Sequence, residues 1–356
     1  MGLPVKSFDL FFGTGGVGKT TLATARAVDL ANQGKKVLLM TIDPAKRLKD
    51  LLGLDDSAAG NVKVITELPE LGTLKVPLHA LLMDPSQTIR RMGEAVGVRE
   101  LANNRIVAIL AKPHGGMNEI LSLIELQMRL DEESYDCIVL DTPPGPHFLD
   151  FLDGLEKIRK FFDQRFVEIF TSLGRKAADG GKNSGVVKNI FDKVVNAGVN
   201  KLLSYLQRVT GEHFVEDFLV ALEVIYRSRA SFTKGLEMES RLSSAEHANW
   251  FLVTSVEQGK FNEALEIKKM ATKLQNREMY LVLNKTIGHE LAGWTPAPGS
   301  AGAQLKHALI EKETKLKDQT KAHFLALYAF PEVFAANPLT HVTALARAWR
   351  THADSN

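Results

Sequence analysis

Gly13-Thr14-Gly15-Gly16-Val17-Gly18-Lys19-Thr20-Thr21 directly follows the apolar run Phe8-Asp9-Leu10-Phe11-Phe12 and directly precedes a helical stretch, Leu22 to Asn32. A strand, a glycine-rich turn and a helix, in that order, are the context in which G-x-x-x-x-G-K-[ST] forms a phosphate cradle. Glycines let the backbone bring its N–H groups close to an anion, and the first helical turn adds unpaired donors and the positive end of its dipole. Lys19 can reach the β- and γ-phosphates, and the Thr20 hydroxyl can hold Mg²⁺. Average residue usage gives this pattern by chance in roughly one chain in a hundred of this length. The stretch predicts nucleotide binding.

Outward from this stretch, short apolar runs alternate with longer helical patterns, which predicts an α/β fold: a P-loop NTPase with a mostly parallel sheet flanked by helices. Candidate strands are Phe8–Phe12, Val37–Ile42, Leu78–Met83, Cys137–Leu140, Trp250–Thr254, Tyr280–Leu283 and Leu325–Phe330. Most are nearly continuous hydrophobic runs, as strands buried on both faces require. Strand order in space cannot be read from this pattern. Between about 151 and 245 the strand signal vanishes, and Leu155, Ile158, Phe162, Phe166 and Ile169 recur at helical spacing. Nine of the 18 phenylalanines fall there. The expected organisation is one P-loop ATPase domain over 1–356 with a helical subdomain inserted at about 151–245. That subdomain is either ordinary helical core or a groove for an apolar partner. A Gly- and Pro-rich loop, Gly293 to Ser300, is expected near the nucleotide side, and Val342 to Arg350 as a terminal helix docked through Leu345 and Trp349.

The 356 residues carry 44 basic and 42 acidic side chains, a net charge of +2 without a dominant basic stripe, so no nucleic-acid partner is expected. A single cysteine, Cys137, excludes an intrachain disulfide or an all-cysteine metal cage within the chain. There is no basic-then-apolar leader and no apolar run of about 18 residues, so a cytoplasmic protein without stable membrane insertion is expected.

Three further segments sit at strand C-terminal ends, where ligands bind in open α/β sheets. Asp43 follows Val37–Ile42 and is either a carboxylate that orients water against a γ-phosphate or a turn aspartate capping the Pro44 segment. Asp141 closes an apolar strand and fits a carboxylate that supports Mg²⁺ through its water shell. Pro143, Pro144, Gly145 and Pro146 follow it as a stiff but hinged loop suited to a switch, and His147 reads either as a loop histidine or as a phosphate sensor. Asn284 ends the strand at Leu283, where an amide can bond both edges of a base.

In order and spacing, the P-loop, Asp43-Pro44-Ala45, Asp141-Thr142-x-Pro-x-x-His147 and Asn284 resemble the anion-transporting, arsenical pump-driving and tail-anchored-protein-targeting ATPases, a family of deviant P-loop NTPases. Gly116-Met117-Asn118-Glu119 with Glu125 resembles that family's helix before the Mg²⁺-site strand. The likeness runs from about residue 8 to 285. It implies Mg²⁺-dependent ATP hydrolysis in a nucleotide-gated dimer whose switches move a helical subdomain and control a bound protein client. By it Asp43 positions the attacking water, Thr20 ligates Mg²⁺, Asp141 supports it, Asn284 reads adenine, and Pro44, Pro144, Gly145 and His147 belong to the switches.

Two departures stand out. The family's lysine one residue after the first P-loop glycine is Thr14 here. A neutral hydroxyl cannot replace a cation at developing charge. Either the homodimer hydrolyses slowly, another cation substitutes (Lys46 and Arg47 first), or a homologous ATPase supplies the lysine in a heterodimer. The last case would make this chain an ATP-binding scaffold with little hydrolysis of its own. The paired cysteines that hold zinc or arsenite in relatives are absent as well.

Overall fold

The strand leading into the glycine-rich turn, β1 (Phe8–Gly13), lies inside an eight-stranded sheet. In chain order the others are β2 (Val37–Thr41), β3 (Val62–Leu68), β4 (Gly72–Leu82), β5 (Cys137–Asp141), β6 (Ala248–Ser255), β7 (Tyr280–Thr286) and β8 (Leu327–Pro331). Their spatial order is β3-β4-β2-β5-β1-β6-β7-β8. All neighbours pair in parallel except β3 with β4. The helices are α1 (Lys19–Asn32), α2 (Arg47–Leu52), α3 (Pro85–Ala95), α4 (Asn118–Glu132), α5 (Arg229–Ser243), α6 (Gln258–Gln275), α7 (Gly288–Ala292), α8 (Ala301–Thr320) and α9 (Pro338–Ser355). The computed structural model describes residues 3–42, 47–54, 59–95, 97, 118–132, 134–145, 229–275, 279–320, 323–335 and 337–355. Most of the expected helical region at 151–245 lies outside them.

The sheet is the α/β architecture that the apolar runs predict. Every residue of β1, β2, β5 and β6 is buried, as unbroken hydrophobic runs demand in a parallel sheet. The sequence reading missed β3 and the first half of β4. In β3 only Leu68 is buried, so this antiparallel edge strand lacks the apolar run that marks the others. The last strand starts at Leu327 rather than Leu325, whose side chain is 52% exposed.

Helix α1 is buried on nearly every face. Ala23, Ala25, Ala27 and Ala31 have no bulk to keep it from its neighbours. Helix α9 packs beside it, with Leu345 and Trp349 both buried. The Trp349 ring lies 4.6 Å from Phe330, 5.6 Å from Phe251 and 6.0 Å from Phe11, centroid to centroid, and its Nε1 donates to the Leu22 carbonyl at 3.2 Å. The terminal helix is thus a structural element of the core.

Beneath this aromatic cluster lies a buried ionic group. Arg26 on α1 donates from Nε to Asp9 Oδ2 of β1 at 2.9 Å, and its Nη1 lies 3.4 Å from Asp29 Oδ2. Asn249 of β6 donates from Nδ2 to Asp9 Oδ1 at 2.8 Å. The Arg26 guanidinium stacks over Trp349 at 5.4 Å. Burial pulls the Arg26 pKa down, but the neighbouring groups together, Asp9 foremost and Asp29 with it, hold it above its ordinary value. A charged pair without water needs partners of this kind, although Arg26 Nη2 and Asn249 Oδ1 make no hydrogen bond among the described residues.

The chain divides into two compact units. The first comprises Met1–Met83, Glu132–Leu152 and Ser240–Asn356 and contains the sheet. The second comprises Asp84–Asp131 and Asp153–Glu239. Within it, Glu125 of α4 is buried and accepts from Thr88 Oγ1 at 2.8 Å, from Arg129 Nε at 2.8 Å, and from Arg91. No helix among the described residues is long and apolar enough to cross a membrane.

Candidate functional site

Strand β1 ends at Gly13, which has φ +143° and lies so close to β6 that a Cβ there would strike the Val253 carbonyl oxygen. Only glycine lets the chain leave the sheet at this point. The turn then runs to Gly18, whose φ of +91° is left-handed, and α1 begins at Lys19 without a side-chain cap. The N–H groups of Gly15, Gly16 and Gly18 donate no hydrogen bond among the described residues. N–H groups left without an acceptor, at a helix start with no side-chain cap, are donors from which an anion can accept. The Lys19 side chain is buried, and its Nζ reaches back to the Thr14 carbonyl at 3.3 Å, across the turn. Thr20 opens the helix beside it. Thr14 is fully buried, and its Oγ1 makes no hydrogen bond among the described residues.

The strand order places the expected residues around this turn. β5 lies beside β1, with Asp141 in register with Phe11. Beyond Asp141, Thr142 is tied to the Phe11 carbonyl twice, by its N–H at 3.1 Å and its Oγ1 at 2.9 Å. Gly145 N–H donates to the Gly13 carbonyl at 2.7 Å, so the segment after β5 is strapped along the glycine-rich turn. The Asp141 side chain is buried, and Thr41 Oγ1 of β2 lies 3.3 Å from its Oδ2. On the other side of β1, Asn284 near the end of β7 is buried and donates from Nδ2 to the Val17 carbonyl at 2.8 Å.

The structure therefore gathers Gly13 to Thr21, Asp141, Pro144, Gly145 and Asn284 at one end of the sheet. Asp43, Pro44, Lys46 and His147 lie outside the described residues. Ile42, one residue before Asp43, donates its N–H to the Asp141 carbonyl at 2.9 Å, so the chain leaves β2 alongside the end of β5. Arg47 begins α2 and is exposed. Trp294, in the expected loop at 293–300, packs its ring against Gly302 of α8, and its carbonyl accepts from Lys306.

The Thr20 hydroxyl, in the first turn of α1, and the Asp141 carboxylate, at the end of β5 beside β1, are hard oxygen donors of the type Mg²⁺ selects. The donor set fits the ion. Sequence reasoning did not find the roles of Thr142, Thr41 and the Val17 carbonyl. Thr142 and Phe11 are 131 residues apart, and Asn284 and Val17 are 267 apart. No local pattern marks such pairs.

Residues 7–209, more than half of the chain, match the family described as anion-transporting ATPase. Among individual proteins, the chain is 32% identical over 160 residues to the putative arsenical pump-driving ATPase 2 of Aquifex aeolicus, covering 43% of this chain and 51% of that protein. It is 27% identical over 202 residues to the ATPase GET3 of Lachancea thermotolerans, covering 53% and 56%. It is 32% identical over 149 residues to an ATPase ASNA1 homolog of Babesia bovis, covering 41% and 38%. The chain spans about half the length of the first two of these relatives.

Proposed function

The chain belongs to the anion-transporting ATPase family, and on that premise we propose that it binds Mg²⁺ and ATP in the glycine-rich turn and hydrolyses the γ-phosphate to reset a conformational switch. One observation carries this reading: N–H groups without an acceptor among the described residues at a helix start that has no side-chain cap, with Lys19 and Thr20 beside them and the Asp141–Gly145 segment strapped to the same turn. Main-chain donors and one ammonium grip the triphosphate tail. Thr20 would hold the metal and Asp141 would support it through its water shell, and the bound ion would neutralise charge that develops on the phosphates. Asp43 orients the attacking water. The hydrogen bonds from Thr142 to Phe11 and from Gly145 to Gly13 carry a change at the phosphates into the segment that leads to His147. The switch acts in a cytoplasmic dimer of homologous chains and controls a bound protein client.

The test is the Lys19→Ala variant. Removing the ammonium is expected to abolish turnover and to lower ATP affinity by about a hundredfold, the scale of about two lost charge-assisted hydrogen bonds. ATP binding that survives unchanged in Lys19→Ala would overturn the assignment of the cradle. Asp43→Asn is expected to slow turnover while largely sparing ATP binding.

Thr14 favours a second reading. Its side chain is neutral and fully buried, so it brings no cation to the transferred phosphoryl group. A chain built this way acts as an ATP-binding scaffold in a heterodimer whose other member supplies the lysine. Turnover by the purified chain alone, measured against turnover with a co-purifying homologue, separates the two readings. Clear activity of the single chain removes the scaffold.

A further inference from the structure

We propose that Asn284 is a positioning residue of the glycine-rich turn, aimed at the Val17 carbonyl by the left-handed backbone of Lys285. The inference rests on the phosphate-binding reading above and concerns how the cradle keeps its shape. Asn284 is 4% exposed, and its Nδ2 donates to the Val17 oxygen at 2.8 Å. The acceptor is a carbonyl, so the amide must present its N–H₂ side there.

The peptide unit that joins Val17 to Gly18 is planar and trans, so its C=O and N–H point in opposite directions. Holding the Val17 oxygen against Asn284 therefore turns the Gly18 N–H away from Asn284. That N–H is one of the donors without an acceptor among the described residues. The side-chain amide thus sets the direction of a phosphate-binding donor that it never touches. Its proximity also dictates the residue at position 18, because a Cβ there would lie 2.5 Å from Asn284 Nδ2.

Two features of β7 keep Asn284 in place. The pairing register runs from Leu283 opposite Ala329 to Thr286 opposite Pro331, so β7 carries one extra residue within this span. Bulges of this kind bend a strand and re-aim its side chains beside functional sites. Lys285, in the bulge, has φ +63°, a left-handed conformation that a side chain with a Cβ adopts at a cost. Beyond the bulge the chain is anchored again. Thr286 Oγ1 donates to the Phe330 carbonyl at 3.0 Å, Glu332 N–H to the Thr286 carbonyl at 2.9 Å, and Ile287 and Gly288 N–H to Glu313 Oε2 at 3.0 Å each. The strain at Lys285 is maintained by its surroundings, and its product is the direction of Asn284.

A base-reading role for the same side chain makes a different prediction, and inorganic tripolyphosphate separates the two because it has no base. Calorimetric titrations of wild type, Asn284→Ala, the near-isosteric Asn284→Leu, Lys285→Gly and Lys285→Val use Mg²⁺ with tripolyphosphate and, separately, with ATP. Both Asn284 variants are expected to bind tripolyphosphate about three- to tenfold more weakly, the value of one neutral hydrogen bond, with ATP weakened at least as much. Lys285→Gly accepts the left-handed backbone and is expected to stay within about twofold of wild type, whereas Lys285→Val cannot and falls with the Asn284 variants. Unchanged tripolyphosphate affinity in folded Asn284→Ala or Asn284→Leu overturns the proposal, whether ATP affinity falls or only the melting temperature does. Failure of wild type to bind either ligand instead removes the nucleotide site itself.

Discussion

Replacing Arg26 by methionine tests the frame on which the glycine-rich turn is mounted. Arg26 and Asp9 are 2% and 0% exposed, and they join α1 to β1, the two elements that the turn connects. Methionine fills much of the guanidinium's path over Trp349 but leaves the Asp9 carboxylate with Asn249 and no cation. Breaking a buried pair from one side costs about 3–5 kcal/mol, and the remaining Asn249 hydrogen bond places the expected loss near the middle, at about 4 kcal/mol. Asp9→Asn alone strands the guanidinium with only Asp29, at 3.4 Å, and is expected to cost about 3 kcal/mol. The double variant Asp9→Asn/Arg26→Met removes both members of the Asp9 pair, leaves Asp29 the Gln33 amide at 2.8 Å, and is expected to lose only about 2 kcal/mol, far less than the two single losses together. Urea denaturation followed by circular dichroism and by tryptophan fluorescence measures all four proteins, and coincident transitions license the comparison. With a slope of about 3 kcal/mol per molar urea, Arg26→Met lowers the midpoint by more than about 1 M. Single losses that add to the double-variant loss within about 0.5 kcal/mol would refute the pairing, because independent sites add and coupled ones do not.

Two further outcomes follow from the same contacts. Trp349→Ala is expected to destabilise the protein by about 3–5 kcal/mol, since the ring is buried among Phe11, Phe251 and Phe330; a thermal or urea shift worth under about 1 kcal/mol would mean that α9 is not part of the core. Burial pushes the Glu313 carboxyl up, but the Lys317 ammonium and the N–H groups of Ile287 and Gly288 outweigh it and hold the group below its ordinary value. Its contribution to stability is therefore complete above the unfolded carboxyl range, about pH 4.3, and is lost as pH falls through the lower folded value. Melting temperatures between neutral pH and pH 3 are expected to fall less steeply in Glu313→Gln, and an identical acid slope in both proteins would remove Glu313 from the account.

The glycine-rich turn was legible because it is local. Nine consecutive residues between an apolar run and a helical stretch contain the glycines, the ammonium and the hydroxyl, and the structure turns them into Gly13 against β6, a left-handed Gly18 and an uncapped α1. The buried strands were legible for a similar reason, since an unbroken apolar run has few other uses. The edge strand Val62–Leu68 was not, because Lys63, Thr66 and Glu67 interrupt its apolar residues, as a strand that buries only one residue allows.

What the chain order could not supply was who stands beside whom. The amino-acid sequence alone determined the chemical groups: a glycine-rich turn with its ammonium and hydroxyl, carboxylates and an amide at strand ends, and a face of Leu345 and Trp349 on the last helix. The tertiary structure alone decided that β5 and β6 flank β1, that Thr142 and Gly145 bind the turn from one side, and that Asn284 holds it from the other. Hydrogen bonds between residues more than a hundred positions apart depend on strand order and register. Packing of the whole sheet sets both.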